Sequence, residues 1–182
     1  MKTAFTLLCA LTVWGAMSTQ PSLAEDAAPQ ATETEPLPAV PASLKDKTFV
    51  NNAKLNTKAK VYFIYKSRST CGICVAECPA IVATHKLMQK TKEAEIVMLN
   101  GDVDAKAAAK WARKAKMKFP VVAPGDGAGV PFPYSGANTL PFMVAVDAEG
   151  KKLGQANGED VATFVAEWQK YLPDKDKKKG KK

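Results

Sequence analysis

The sequence predicts an α/β domain, and three observations carry that prediction. Apolar runs rich in β-formers at 61–65, 95–100 and 140–147 read as strands. Stretches of helical character at 75–91 and 104–118 separate them. After a hairpin, Val161, Phe164, Val165, Trp168 and Leu172 recur at helical spacing and close the chain on an amphipathic helix. Strands that alternate with helices assemble into a sheet covered by those helices. A length of 182 residues suits one such domain with additional segments.

The N-terminal segment reads as an address rather than as structure. Lys2 precedes an apolar run from Ala4 to Met17, and Ser22-Leu23-Ala24 supplies a small-x-small cleavage site. Residues 1–24 are expected to be a signal peptide cleaved after Ala24, with an uncleaved anchor as the alternative. The run is short for a membrane span, and Gln20-Pro21-Ser22 interrupts it. Export places the chain in the periplasm or another extracytoplasmic compartment, where paired cysteines can be oxidised. Residues 25–47 mix Pro29, Pro36, Pro38 and Pro41 with Ala, Glu and Thr, which predicts a semi-extended linker. Folded structure is expected over 48–172, starting with a short helix from Phe49 to Leu55. Residues 173–182 form a Lys-rich tail that reads as solvated and disordered.

The net charge of +8 is therefore uneven, with acidic residues in the linker and lysines in the tail. No interleaving of aromatic with basic residues argues for nucleic acid. Membrane contact is left to an uncleaved signal or the Lys-rich tail, and the domain is expected to be a monomer.

Within the domain, Val61-Tyr62-Phe63-Ile64-Tyr65 reads as a strand buried on both faces. Lys66-Ser67-Arg68-Ser69-Thr70 makes a polar turn, and Cys71-Gly72-Ile73-Cys74 follows. The helix after it, from Val75 to about Thr91, contains Pro79, which removes one N–H bond and is expected to kink it. The two cysteines thus sit where a buried strand hands over to a helix N-terminus. Unpaired N–H groups and the helix dipole favour an anion there, so the first thiol is expected to ionise readily. The second, one turn on, can close a disulfide with it. C-x-x-C at such a junction points to dithiol–disulfide exchange. An inert disulfide or half of a zinc site is the competing reading.

Glu95 to Asn100 is the next strand, Gly101-Asp102 the turn, and Asp104 to Lys118 a helix anchored by Trp111. Phe119-Pro120-Val121-Val122 closes this unit as a short strand. Leu140 to Asp147 is a strand with proline near its start. Asp147-Ala148-Glu149-Gly150 turns the chain, and Lys151 to Gly154 returns as an edge strand. Asn157 and Asp160 suit the start of the last helix, and Pro173 stops it.

In this order the elements resemble the thioredoxin fold, a central mixed β-sheet flanked by helices. The chain is similar to thioredoxin-family thiol–disulfide oxidoreductases over roughly 48–172. The resemblance rests on C-G-I-C after a buried strand, on Pro79, on Leu99-Asn100 followed by Asp102, and on Leu140-Pro141 ahead of the hairpin. Phe119-Pro120-Val121 before a long insertion resembles the exported, membrane-tethered reductants of the family. The resemblance implies that Cys71 is the attacking thiol and that Cys74 resolves the mixed disulfide. It implies that Pro141, after Leu140, is a cis-proline facing the pair and binding substrate backbone. It implies protein thiols or disulfides as substrates, a redox partner protein, and no cofactor. This chain has Thr70 where the family often has tryptophan and Tyr65 where many members carry a buried acid. Gly72-Ile73 is neither the Gly-Pro typical of reductants nor the Pro-His of strong oxidants, so neither direction of electron flow is favoured. A thioredoxin-fold binding module with a structural disulfide stands as the alternative.

Cys78 completes C-x2-C-x3-C-Pro, but an iron–sulfur run needs another cysteine that the mature chain lacks. His85 lies about 10 Å beyond Cys78 along one helix, too far for one ion to gather it with Cys71. No metal is expected; Cys78 reads as a buried small apolar residue and His85 as structural.

Between the short strand and Leu140 lies a stretch rich in Gly and Pro, 124–138, which excludes a helix. In the resembled fold it abuts the cysteine pair. Phe132 and Tyr134 flank Pro133, so one is expected to anchor the loop and the other to reach toward the cleft and meet extended substrate. Replacing 125–136 with a short Gly-Ser link should leave the reduction potential and the reaction with small dithiols nearly unchanged while slowing exchange with the protein partner. Equal rates toward that partner would remove the loop's recognition role.

Overall fold

Val61–Ser67 forms the first strand, β1, and every residue of it except Lys66 is buried. Its burial on both faces follows from its position in the middle of a five-stranded sheet. Ala94–Asn100 is β2, Val121–Val122 is β3, Phe142–Asp147 is β4 and Lys152–Asn157 is β5. The order across the sheet is β3-β2-β1-β4-β5. β1 runs parallel to β2 and antiparallel to β4, so the sheet is mixed. Parallel neighbours require a crossover, and the helix Gly72–Thr91, α2, supplies the one between β1 and β2. Ala105–Lys114, α3, makes the second crossover, into β3. The computed structural model describes residues 39–127, 130 and 139–174, all within the unit Thr34–Lys182.

Alternation along β1 sorts its side chains between two cores. Val61, Phe63 and Tyr65 pack with Ile81, Val82 and Met88 of α2, with Trp111 of α3 and with Val161 and Val165 of the last helix. That helix, α4, is Val161–Ala166. Tyr62 and Ile64 face the other way, toward Val97, Val144 and the short helix Val40–Leu44, α1. The fold class is thus α/β and thioredoxin-like, a mixed sheet with helices against it. Among the described residues, no helix is long and apolar enough to cross a membrane.

Several boundaries differ from the sequence expectation. Phe49–Leu55 is not a helix: Phe49 bridges to Val122 at the sheet's edge, and Asn51 binds the carbonyls of Met117 and Phe119. The folded part begins earlier than Thr48, inside the stretch expected to be a linker. Val40 and Leu44 are spaced to share one helix face, and both are fully buried in the second core. α3 stops at Lys114 because Lys116 takes a left-handed conformation, with φ of 57°. α2 begins at Gly72, ahead of Cys74, and runs as one helix through Pro79. β5 extends to Asn157. The closing segment is one short α-helix between 3-10 turns at Gly158–Asp160 and Trp168–Tyr171 rather than a single long helix.

Neither Asn157 nor Asp160 caps that last helix with its side chain. The carboxylate of Glu77, from α2, accepts the Ala162 N–H at 2.7 Å instead. A long-range partner has replaced the local one, joining the start of α4 to α2. Glu77→Ala should therefore destabilise the fold by about 1–2 kcal/mol, the cost of losing a charged acceptor at a helix N-terminus. Asp160→Ala should cost less than about 0.5 kcal/mol. Denaturant unfolding of the two variants checks this, and an equal loss in both would mean that Glu77 is not the cap.

Candidate active site

The turn after β1 delivers the chain to α2 under several backbone constraints. The Gly101 N–H donates to the Ser67 carbonyl at 2.8 Å, and the Cys71 N–H donates to that of Arg68 at 3.3 Å. Asp102 holds the turn from the neighbouring loop. One of its carboxylate oxygens accepts both the backbone N–H and the hydroxyl of Ser69, each at 2.8 Å. Its other oxygen accepts from the Asn100 side-chain amide at 3.1 Å. The junction that carries the cysteines is thus fixed on both sides.

Cys71 is the N-cap of α2, in extended backbone conformation, and its sulfur accepts the Cys74 N–H at 3.2 Å. The same sulfur is bonded to that of Cys74, with the two Cα atoms 5.2 Å apart. The pair is asymmetric. Cys71 is partly exposed, whereas Cys74 is fully buried beneath it. A Cβ at Gly72 would meet nothing within 4 Å, so the space over the first turn is open. Ile73 and Val75 stand exposed beside it, and an apolar rim beside the disulfide is a surface that prefers to be covered. An attacking group reaches Cys71 first.

Leu140 and Pro141 come to the pair from the other side of β1. The Leu140–Pro141 peptide bond is cis, and the Leu140 carbonyl oxygen lies 3.6 Å from the Cys71 sulfur. Pro141 in turn accepts the Gly158 N–H at 2.9 Å. Cys71, Cys74 and Leu140 are thus gathered at one end of the sheet, next to Pro141. Phe132 and Tyr134 lie outside the described residues, as do the signal segment, most of the linker and the tail.

Tyr65, which stands where many members of the resembled family carry a buried acid, is fully buried, and its hydroxyl accepts from Ser67 at 2.9 Å. Burial pushes its ionisation well above the ordinary tyrosine range. It is a neutral group under physiological conditions. His85 lies away from the pair, where it is hydrogen-bonded to Glu95 at 2.7 Å and stacked edgewise on Phe119. Gln89 completes that buried cluster at 2.9 Å from the His85 ring. Sequence reasoning missed the Ser69–Asp102 clasp and the exposed Ile73 and Val75. The spacing of Ser69 ahead of Cys71 carries no signal until the second loop is folded beside it.

No protein-family model matches the chain, and no curated protein matches it in sequence. Solved structures do match. A thioredoxin-family thiol:disulfide interchange protein from Chlorobium tepidum is 15% identical, with a TM-score of 0.55, over 75% of this chain and 97% of that one. A thiol:disulfide interchange protein from Bacteroides is 21% identical, with a TM-score of 0.53, over 74% and 90%. A secreted thiol-disulfide isomerase from Corynebacterium glutamicum is 16% identical, with a TM-score of 0.51, over 58% and 66%. At these identities the likeness establishes the thioredoxin-like fold.

Cys78 is a free, buried cysteine one turn beyond Cys74. Burial pushes its thiol up from 9.0 to about 11. With the pair oxidised, thiol reagents at neutral pH should therefore label the native protein slowly and the unfolded protein fast at this one site. A pKa raised by folding stabilises the protein fully below the unfolded value and is lost as pH rises through the folded one. Stability should accordingly decline between about pH 9 and pH 11, and Cys78→Ala should flatten part of that decline. Unfolding measured across that range decides it. A decline of the same slope in Cys78→Ala would assign it elsewhere.

Proposed function

We propose that this thioredoxin-fold protein is an exported thiol–disulfide oxidoreductase that exchanges disulfides with protein substrates through Cys71 and Cys74. The observation that carries the reading is the disulfide that caps α2, with one sulfur partly exposed and the other buried. In the reduced form, the Cys74 N–H and the dipole of a long helix favour the Cys71 thiolate. That thiolate attacks one sulfur of a substrate disulfide, and the other substrate sulfur leaves as a thiolate. Cys74 then attacks the Cys71 sulfur, releases the second substrate thiol and regenerates the internal disulfide. Two electrons have passed to the substrate. Run in reverse, a substrate thiolate attacks Cys71 and expels Cys74 as a thiolate, and a second substrate thiolate then displaces Cys71, leaving the substrate disulfide and the reduced pair.

The Leu140 carbonyl beside the Cys71 sulfur supports a substrate-binding role for Leu140 and Pro141. An extended substrate segment aligned with that backbone would present its sulfur to Cys71. Phe132 and Tyr134 are proposed to add side-chain contacts from the loop. The location outside the cytoplasm rests on the N-terminal signal pattern, and the similar Corynebacterium protein is described as secreted.

Cys74→Ser should trap covalent adducts through Cys71, visible by non-reducing electrophoresis, whereas Cys71→Ser should trap none. The opposite pattern reverses the roles. A reduction potential between about −270 and −120 mV fits an exchanging pair, and one below about −300 mV fits the alternative of a binding module with a structural disulfide.

A further inference from the structure

A trough of about 780 Å³ runs between α2 and α3, outside the cysteine pair. Its floor is apolar, with Val75, Pro79 and Val82 from α2 facing Ala107 and Trp111 from α3, and Cys78 between. Its rim is cationic: Lys86, Lys110, Lys114 and Lys116 line it, and no described lining residue is acidic. Among the described residues, none of these four lysines forms an ion pair. One end of the trough reaches the first turn of α2. Ser69 and Val75 line its near end, and they flank Cys71 and Cys74 in the chain. From Val75 to Lys86 along α2 it extends about 16 Å at the rise of an α-helix. That length takes roughly five residues of extended chain.

From this geometry we infer that the trough is a docking site for an acidic, apolar segment of the protein substrate, next to the exchanging disulfide. The inference rests on the exchange reading and adds the chemistry of the partner. Two features choose a peptide as the occupant. The trough takes in the exposed Val75, the residue after Cys74, so a chain whose cysteine sits on Cys71 can carry on into it. Four cations above an apolar floor match carboxylates that alternate with apolar side chains. Docking there raises the local concentration of the substrate disulfide at Cys71 without altering the sulfurs themselves.

The test uses the full reduced protein and two synthetic peptides, one of alternating Glu and Leu and one of alternating Lys and Leu. Each carries a single cysteine blocked as a mixed disulfide with 2-mercaptoethanol. Bis(2-hydroxyethyl) disulfide serves as a small neutral probe. The acidic peptide should react about tenfold faster than the basic one at low salt, through electrostatic steering. Added salt should shrink the difference as the rim is screened. The double variant Lys110→Glu, Lys114→Glu should erase or invert the preference, while its rate with the neutral probe stays within about twofold, since rim charges act on encounter. Equal rates for the two peptides, or a preference that survives the charge reversal, would overturn the inference. Should the neutral probe fail to react at all, the exchange reading falls, and docking is still decided by anisotropy of a labelled, cysteine-free acidic peptide on the oxidised protein. Binding lost in the double variant supports the site. Absence of binding, or binding of laurate there without the peptide, refutes it.

Discussion

The first turn of an α-helix has N–H groups without partners inside the helix, and α2 meets that need with a sulfur. The Cys74 N–H points at Cys71, and no other described acceptor has been placed there. This one contact joins folding to chemistry. It closes the first turn of the helix, and it places the Cys71 sulfur at the positive end of a helix of 20 residues. Everything that positions Cys71 therefore also sets the conditions under which its thiolate forms. The backbone bonds from Ser67 and Arg68 and the clasp of Asp102 on Ser69 belong to the site for that reason, although none of them touches a sulfur.

The sheet supplies the remaining constraint. β1 lies between a parallel and an antiparallel neighbour, so its C-terminal end meets two different loops. From β2 comes Asp102, which holds the turn before Cys71. From the start of β4 comes Leu140, whose carbonyl faces the sulfur itself. A purely parallel sheet would bring only loops that follow strands to this end. The antiparallel strand brings one that precedes a strand, and a backbone segment with its carbonyl toward the site comes with it.

Elements with strong local patterning were legible in the sequence. β1 is a continuous apolar run, α2 has a strand before it and a helical period within it, and the C-x-x-C spacing states its own chemistry. The segments that were misread depend on partners far along the chain. Phe49 looked helical in isolation and is held straight by Val122. Val40 and Leu44 looked like linker because their burial depends on residues around Val144 and Val146. The last helix seemed to carry its own cap in Asp160, yet Glu77 on another helix does that work. Strong local patterning set the type of β1 and α2, whereas tertiary contacts decided the type of the weakly patterned segments and, throughout, where elements begin and end and what satisfies their terminal groups. The Cys71–Cys74 disulfide and the cis bond before Pro141 match what the spacing and the resemblance led one to expect, whereas the Ser69–Asp102 clasp and the lysine-rimmed trough exist only once two loops and two helices are folded side by side.

Three thiols follow one another along the first two turns of α2, and depth separates their roles. Cys71 stands at the helix start with an N–H aimed at it and solvent on one side. Cys74 is buried yet bonded to Cys71, so its sulfur is reached through its partner. Cys78 sits one turn further, where the backbone N–H groups are already engaged in the helix and no donor is left to stabilise a thiolate. Burial then acts alone and keeps it protonated, up to about pH 11. The same functional group is thus a partly exposed half of a disulfide, its buried partner, and a packing unit within about 10 Å of helix rise. The difference comes from the supply of free N–H groups, which ends after the first turn. A third cysteine at this position can therefore remain beside the Cys71–Cys74 disulfide as a protonated, buried thiol.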